Sequence, residues 1–75
     1  MVTMYRAATW KIAVYGAEHG LPHFHIEGRD FRCSVAIATR ELIVGEAPRV
    51  IFRAAVDWAA DHEQELMDKW RELNP

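Results

Sequence analysis

Residues 23–37 read HFHIEGRDFRCSVAI, and this stretch decides the fold of the chain. Apolar and polar side chains alternate on both sides of residues 28–30 (GRD), which is typical of two half-buried strands joined by a tight turn. We therefore predict an antiparallel hairpin with two different faces. The inward face is predicted to hold Phe24, Ile26, Phe31, Cys33, Val35 and Ile37. The outward face is predicted to hold His23, His25, Glu27, Arg32 and Ser34.

Charge favours one register of this hairpin. A turn at residues 28–29 would place Glu27 opposite Asp30, and two like charges in that position repel. A turn at residues 29–30 places Glu27 opposite Arg32, an attractive pair. Gly28 at the head of a primed turn favours the first register, so both stay open. The two registers put the same residues on each face.

Further elements lie on both sides of the hairpin. Residues 9–15 also alternate and predict a first strand, residues 16–22 contain two glycines and a proline and predict a loop, and residues 41–44 predict a short last strand. From Pro48 onward, apolar residues recur every three or four positions. This spacing predicts one amphipathic helix of about 25 residues, or two helices broken near residues 61–62.

Trp58 and Trp70 fall on the apolar stripe of this helix, so we predict that they anchor it on the inward face of the sheet. The chain is accordingly predicted to be α+β. We expect residues 1–75 to form one domain, in which a small antiparallel sheet of three to four strands packs on one long C-terminal helix.

Composition excludes several classes of protein. The chain has 75 residues, nine basic and eleven acidic, and its formal net charge of −2 does not indicate nucleic-acid binding by broad phosphate neutralisation. The one cysteine, Cys33, cannot form an internal disulfide and is predicted to be a buried, inert thiol. The sequence has neither a signal-peptide pattern nor an apolar run long enough to cross a bilayer. We therefore expect a cytoplasmic protein without a membrane partner.

A histidine cluster gives the first chemical hypothesis. His19, His23 and His25 lie within seven residues, and the last two share a predicted strand face with Glu27. Two imidazoles on alternate positions of a strand can chelate a metal, and a nearby carboxylate resembles the two-histidine, one-carboxylate set of open iron sites. A divalent transition metal is thus one candidate cofactor. Its candidate ligands are His19, His23, His25 and Glu27.

His23, His25 and Arg32 also form a candidate catalytic set. Imidazoles transfer protons, and a guanidinium stabilises the negative charge of a phosphorane, as a metal-independent ribonuclease requires. The plainer interpretation is that these are polar residues on the solvent side of a half-covered sheet. The sequence does not decide whether the protein is an enzyme. His62 lies on the helix stripe and is predicted to be a boundary residue, separate from the cluster.

Three segments resemble a known family. These are residues 22–25 (PHFH) with the hairpin that follows, residues 54–58 (AAVDW) and residues 65–70 (ELMDKW). They are similar to the small bacterial proteins grouped as domain of unknown function 4160, and the likeness runs from about Ile12 to Leu73.

The resemblance makes His23 and His25 motif positions of that family. Family members often carry Asn-Asp-His before a proline pair, whereas this chain has AEH at residues 17–19 and GLP at residues 20–22. The resemblance implies a bacterial cytoplasmic protein, similar to ones often encoded beside another small protein in the manner of toxin–antitoxin modules.

The leading functional hypothesis is an interaction module, one half of a toxin–antitoxin-like pair, because a thin domain with one open sheet face has a docking surface. Its partner is predicted to be a protein encoded nearby, or a second copy of the chain. The alternative is a histidine-dependent protein that either binds a metal or cleaves RNA without one.

Overall fold

Five antiparallel strands precede two helices in the computed structural model, which describes residues 1–75. The strands are β1 (Val2–Arg6), β2 (Trp10–Val14), β3 (His23–Gly28), β4 (Arg32–Ala36) and β5 (Leu42–Glu46). The helices are α1 (Arg49–Asp61) and α2 (Glu63–Leu73). Each strand pairs with the next one along the chain, so the sheet is a meander in the order β1-β2-β3-β4-β5.

The α+β prediction is confirmed, but the prediction of three to four strands is wrong because β1 was not foreseen. β1 pairs with β2, and its register shifts between Thr3 and Tyr5. Met4 is therefore an extra residue that interrupts the two-residue alternation. A five-residue strand with such a break has no clear period in its sequence.

The prediction of a single long helix is also wrong, and the alternative prediction of two helices broken near residues 61–62 is confirmed. His62 leaves helical geometry at φ −129° and ψ 27°. Its backbone N–H donates to the carbonyl oxygen of Ala59, and its Nδ1 lies 2.7 Å from the carbonyl oxygen of Trp58. The imidazole stacks on the Trp58 indole with 3.9 Å between ring centroids. His62 thus ends α1 and lies apart from the other histidines, as predicted.

The hairpin adopts the register that charge favours. β3 and β4 pair Glu27 with Arg32 and His25 with Ser34, which leaves Arg29 and Asp30 in the turn. Gly28 precedes the turn and has no positive φ, so it does not act as the head of a primed turn. The Arg32 Nε lies 2.9 Å from the Glu27 Oε2.

The core lies between the sheet and the two helices. Its buried side chains are Ile12, Val14, Phe24, Ile26, Cys33, Val35, Ile37, Ala55, Ala59, Leu66 and Trp70. Burying each large side chain contributes roughly 1.5–3 kcal/mol. Trp70 is a buried anchor as predicted, whereas Trp58 is half-buried and packs against the rim of this core.

Both edges of the sheet are irregular. β1 has the shift at Met4, and β5 has a second register shift beside Ser34 and Val35. Gly45 adds a positive φ of 86° in β5. Irregular edges pair poorly with further strands, which disfavours growth of the sheet by strand addition. Neither helix has the length and apolarity that a membrane span needs.

Candidate histidine and glutamate site

Two imidazoles and one carboxylate converge at one end of the sheet. The Nε2 atoms of His23 and His25 lie 3.0 and 2.8 Å from the same oxygen, Oε1 of Glu18. The three donor atoms all lie within 4.8 Å of one another. β3 fixes both histidines, since its two-residue period points them to one face, and the loop after β2 supplies Glu18.

The other ring nitrogen of each histidine also has a partner. Nδ1 of His23 lies 2.8 Å from the carbonyl oxygen of Leu21, and Nδ1 of His25 lies 3.3 Å from Oγ of Ser34. A carbonyl oxygen only accepts hydrogen bonds, so Nδ1 of His23 carries a proton. If the ring is a cationic imidazolium, its Nε2 donates a hydrogen bond to Glu18. If the ring is neutral, its Nε2 is unprotonated and its lone pair faces the carboxylate.

The histidines are more buried than their outward position predicts. His23 is 9% exposed and His25 is 5% exposed. The His25 ring has the Tyr15 ring against it at 4.7 Å, and the His23 ring lies 4.8 Å from the Trp70 indole. The alternation of faces is as predicted, but the expectation that the C-terminal helix leaves this face uncovered is wrong at His23. Trp70 is large enough to reach both the core and the imidazole.

The loop that carries Glu18 is tied to the end of α2. The backbone N–H of Glu18 donates to Oδ1 of Asn74 at 2.9 Å, and Nδ2 of Asn74 donates to the carbonyl oxygen of Tyr15 at 3.0 Å. Hydrogen bonding from His25 is the main reason that the pKa of Glu18 lies below its usual value, and His23 adds to this effect while partial burial opposes it. The carboxylate is therefore held in place and ionised.

A groove opens beside the cluster with a volume of about 320 Å³. Its polar wall contains Glu18, His23, His25 and Ser34, and its apolar wall contains Leu21, Ile43 and Val44. These apolar side chains are 67, 48 and 64% exposed, respectively. The cluster is thus shielded on the sheet side and accessible from the groove.

A family model described as a domain of unknown function (DUF4160) matches residues 9–71, a span that includes both histidines and Glu18. The chain belongs to this family. No curated protein and no solved structure matches it significantly. The resemblance drawn from the sequence is confirmed.

Two of the four predicted metal ligands meet, and two do not. His23 and His25 come together, whereas Glu27 is engaged elsewhere and His19 is exposed on the groove rim, outside the cluster of donor atoms. Glu18 takes their place. Sequence reasoning missed it because a loop has no period that would orient its side chain. The one available signal was its position, directly before His19 in a segment next to the PHFH motif.

Glu27 belongs to a second polar network on the same face of this DUF4160 domain. The Tyr15 hydroxyl donates to Oε2 of Glu27 at 2.7 Å, and Arg32 and Lys11 lie 2.9 and 3.9 Å from the same carboxylate. The hydrogen bond to Glu27 is the main cause that raises the pKa of Tyr15. The negative charge of Glu27 is therefore balanced by Lys11 and Arg32.

Arg32, the third residue of the predicted catalytic set, does not reach the histidines directly. Its guanidinium lies 5.2 Å from the centre of the Tyr15 ring, and the other neighbour of that ring is His25. Arg32 therefore contacts Tyr15, and Tyr15 contacts His25. A phosphorane held at the Nε2 atoms would lack this cation as a direct neighbour. The arrangement favours cation binding at the cluster over the predicted ribonuclease-like chemistry.

Proposed function

We propose that this protein binds a divalent transition metal ion through Glu18, His23 and His25. One observation carries the proposal: both Nε2 atoms lie next to the same carboxylate oxygen, while Nδ1 of His23 faces a carbonyl oxygen and Nδ1 of His25 faces a hydroxyl that can accept a hydrogen bond. A metal-bound histidine almost always donates its other ring N–H to a carbonyl, a carboxylate or water, which fixes the ring and its tautomer. Leu21 and Ser34 supply these acceptors.

A small cation would bind at the cluster after all three side chains adjust. Zinc-like ions bind imidazole nitrogen and carboxylate oxygen at about 2.0–2.2 Å, which sets tetrahedral ligands roughly 3.3 Å apart. The present separations from the Glu18 oxygen are 2.8 and 3.0 Å. The three donor atoms lie within 4.8 Å of one another, which is wider than the roughly 3.3 Å of tetrahedral ligands. Binding therefore needs the Glu18 oxygen to move outward by a few tenths of an ångström and the two imidazole rings to turn toward each other.

Three protein ligands leave one coordination position open. Closed structural zinc sites use four protein ligands, whereas sites that bind substrate or water keep a position free. The groove of Leu21, Ile43 and Val44 adjoins the cluster, so a ligand with an apolar part can reach the metal from there. We infer that the metal would bind an exogenous ligand and would not serve as a structural site.

Titration calorimetry tests the proposal on chelator-treated protein with zinc, nickel and ferrous ions. Glu18→Gln removes the charged donor but keeps the shape, and we expect it to weaken binding at least ten-fold. His19→Ala is the matched control, because His19 lies on the same loop but outside the donor cluster. Its affinity should stay within about two-fold of the parent. Affinity should also fall on acidification, because protons compete with the metal for imidazole nitrogen.

Cobalt(II) absorption gives an independent view of the coordination shell. The parent and His19→Ala should show the same visible spectrum, and Glu18→Gln should not. Binding no tighter than millimolar in the parent, or equal losses in the two variants, would show that the cluster is only a hydrogen-bonded polar network.

A second candidate function is the predicted interaction module. The observation that favours it is an exposed apolar strip formed by Leu21, Leu42, Ile43 and Val44, which are 67, 49, 48 and 64% exposed. The partner we propose is the product of a neighbouring gene in a bacterial cytoplasm, in a toxin–antitoxin-like pair. Self-association by strand pairing is the weaker version, because both sheet edges are irregular.

Coexpression with the neighbouring gene product tests this second function. Val44→Lys should abolish a complex without unfolding the chain, because the side chain is largely solvated. Lysine at exposed Val50, on α1 outside the strip, is the control. A toxic neighbour silenced by the parent but not by Val44→Lys would support the module. A complex unaffected by Val44→Lys would contradict it.

A further inference from the structure

The end of the sheet opposite the histidine cluster carries a large basic groove. It has a volume of about 700 Å³ and lies between the β1–β2 turn and the β3–β4 turn. Four cationic side chains line it, Arg6, Lys11, Arg29 and Arg32, against one anionic side chain, Glu27. This local excess of positive charge stands out in a chain whose net charge is −2.

Two of these cations have no acidic partner. Glu27 engages Arg32 and Lys11, whereas no carboxylate lies within ion-pair distance of Arg6 or Arg29. Both arginines are exposed. Ala8 and Thr9 also line the groove, and their backbone N–H groups make no hydrogen bond within the protein. Guanidinium groups beside free N–H donors are the usual means of holding phosphate oxygens.

The groove also has an apolar component. Trp10 and Phe31 line it, and both are only half-buried, although each packs against the core. An aromatic surface beside cations suits a ligand that joins a planar ring to phosphate. The volume is within the range of roughly 300–1,000 Å³ that small-molecule sites occupy and exceeds what a single inorganic anion needs.

We propose that this groove binds the phosphate groups of a free nucleotide. The distribution of charge favours a free nucleotide over a long nucleic acid. Four of the nine basic residues and one of the eleven acidic residues line the groove, so five basic and ten acidic residues lie elsewhere. A polyanion that extended beyond the groove would therefore meet repulsion. A ligand with two or three phosphates fits within it.

Calorimetric titration of the full chain with ADP tests the proposal. A chelator is present throughout, so that no metal at the histidine cluster can bridge to the nucleotide. Arg6→Gln combined with Arg29→Gln should weaken ADP binding at least ten-fold. Both side chains are exposed and unpaired with acids, so the fold should persist, and far-UV circular dichroism checks this. Arg53→Gln, on the exposed face of α1 and outside the groove, is the matched control and should leave affinity within two-fold.

Two further probes identify the ligand class. Pyrophosphate should bind at least several-fold more weakly than ADP if the aromatic side chains contact the base. A ten-nucleotide single strand should bind no more tightly than ADP. Equal affinity for pyrophosphate and ADP would overturn the nucleotide assignment, and much tighter binding of the oligonucleotide would overturn the preference for a free ligand. No ADP binding up to millimolar concentration, or equal losses in Arg53→Gln and the double variant, would refute the site.

Discussion

Gly45 and Gly20 form a matched pair for testing how β5 is attached to the sheet. Their φ angles are +86° and +88°, a region that L side chains rarely adopt. Their surroundings differ. A Cβ at Gly20 would meet nothing within 4 Å, whereas a Cβ at Gly45 would lie 2.3 Å from the carbonyl oxygen of Arg32 and 2.9 Å from the Cα of Cys33. Alanine at each position therefore has the same conformational cost, and only one position adds a collision.

The expected magnitudes follow from these contacts. The left-handed backbone costs an L residue about 1–2 kcal/mol, so Gly20→Ala should lose about 1 kcal/mol of unfolding free energy. The atoms that Gly45→Ala meets are backbone atoms of β4, which cannot move aside without disturbing the strand. Overpacking of this kind costs a further 1–3 kcal/mol or more. We expect Gly45→Ala to lose roughly 2–5 kcal/mol, a large share of the stability of a small domain.

Urea unfolding measures the difference. Far-UV circular dichroism and tryptophan fluorescence should give coincident transitions, and the midpoint of Gly45→Ala should lie about 1–2 M below that of Gly20→Ala at an equal slope. Equal losses of stability in the two variants would refute the close approach of β5 to β4.

Three other outcomes are expected. Trp70→Ala should lose about 3–5 kcal/mol in urea unfolding, and Trp58→Ala should lose less because its indole is only half-buried. In metal-free protein, Glu18→Gln should reduce the unfolding free energy by about 1 kcal/mol at pH 7. The pKa of Glu18 is lowered in the folded state, so its contribution is present above about 4.5 and is lost as the pH falls through the folded value. The two proteins should therefore converge once acid protonates the Glu18 carboxylate, and a constant difference would contradict its stabilisation by the two histidines. Burial raises the pKa of the Cys33 thiol, so thiol reagents should modify it only after denaturation, whereas rapid labelling of the native protein would show that the strand face is open.

Periodicity in the sequence predicted the parts of the fold that have a regular period. β2, β3, β4 and α1 follow from alternation and from three- and four-residue spacing, and charge favoured the observed hairpin register, although the position of Gly28 kept the other register open. β1 escaped because the extra residue Met4 breaks its alternation. The boundary at His62 was open because the apolar stripe continues across it, while the break depends on local hydrogen bonds of that residue.

Only the part of the candidate site that lies on β3 was predictable from the sequence. Alternation on β3 placed His23 and His25 on one face, and the structure brings them together. Alternation also placed Glu27 on that face, but its carboxylate is bound by two neighbouring cations and by the Tyr15 hydroxyl, and not by the histidines. The loop half depends on a hydrogen bond between Glu18 and Asn74, the residue that follows α2. These two residues are 56 positions apart in the sequence. No local pattern encodes such a contact.

The hydrogen bonds of Asn74 couple the last turn of α2 to the position of Glu18. When that turn frays, Asn74 releases both the Glu18 amide and the Tyr15 carbonyl, and the third donor loses its support. Coupling of this kind is reciprocal in free energy, so whatever fixes the Glu18 carboxylate must also slow the fraying. The backbone N–H of Asn74, which donates to the carbonyl oxygen of Trp70, is thus a reporter of site occupancy. Its rate of hydrogen exchange should fall when an ion binds at Glu18, although Asn74 supplies no ligand itself.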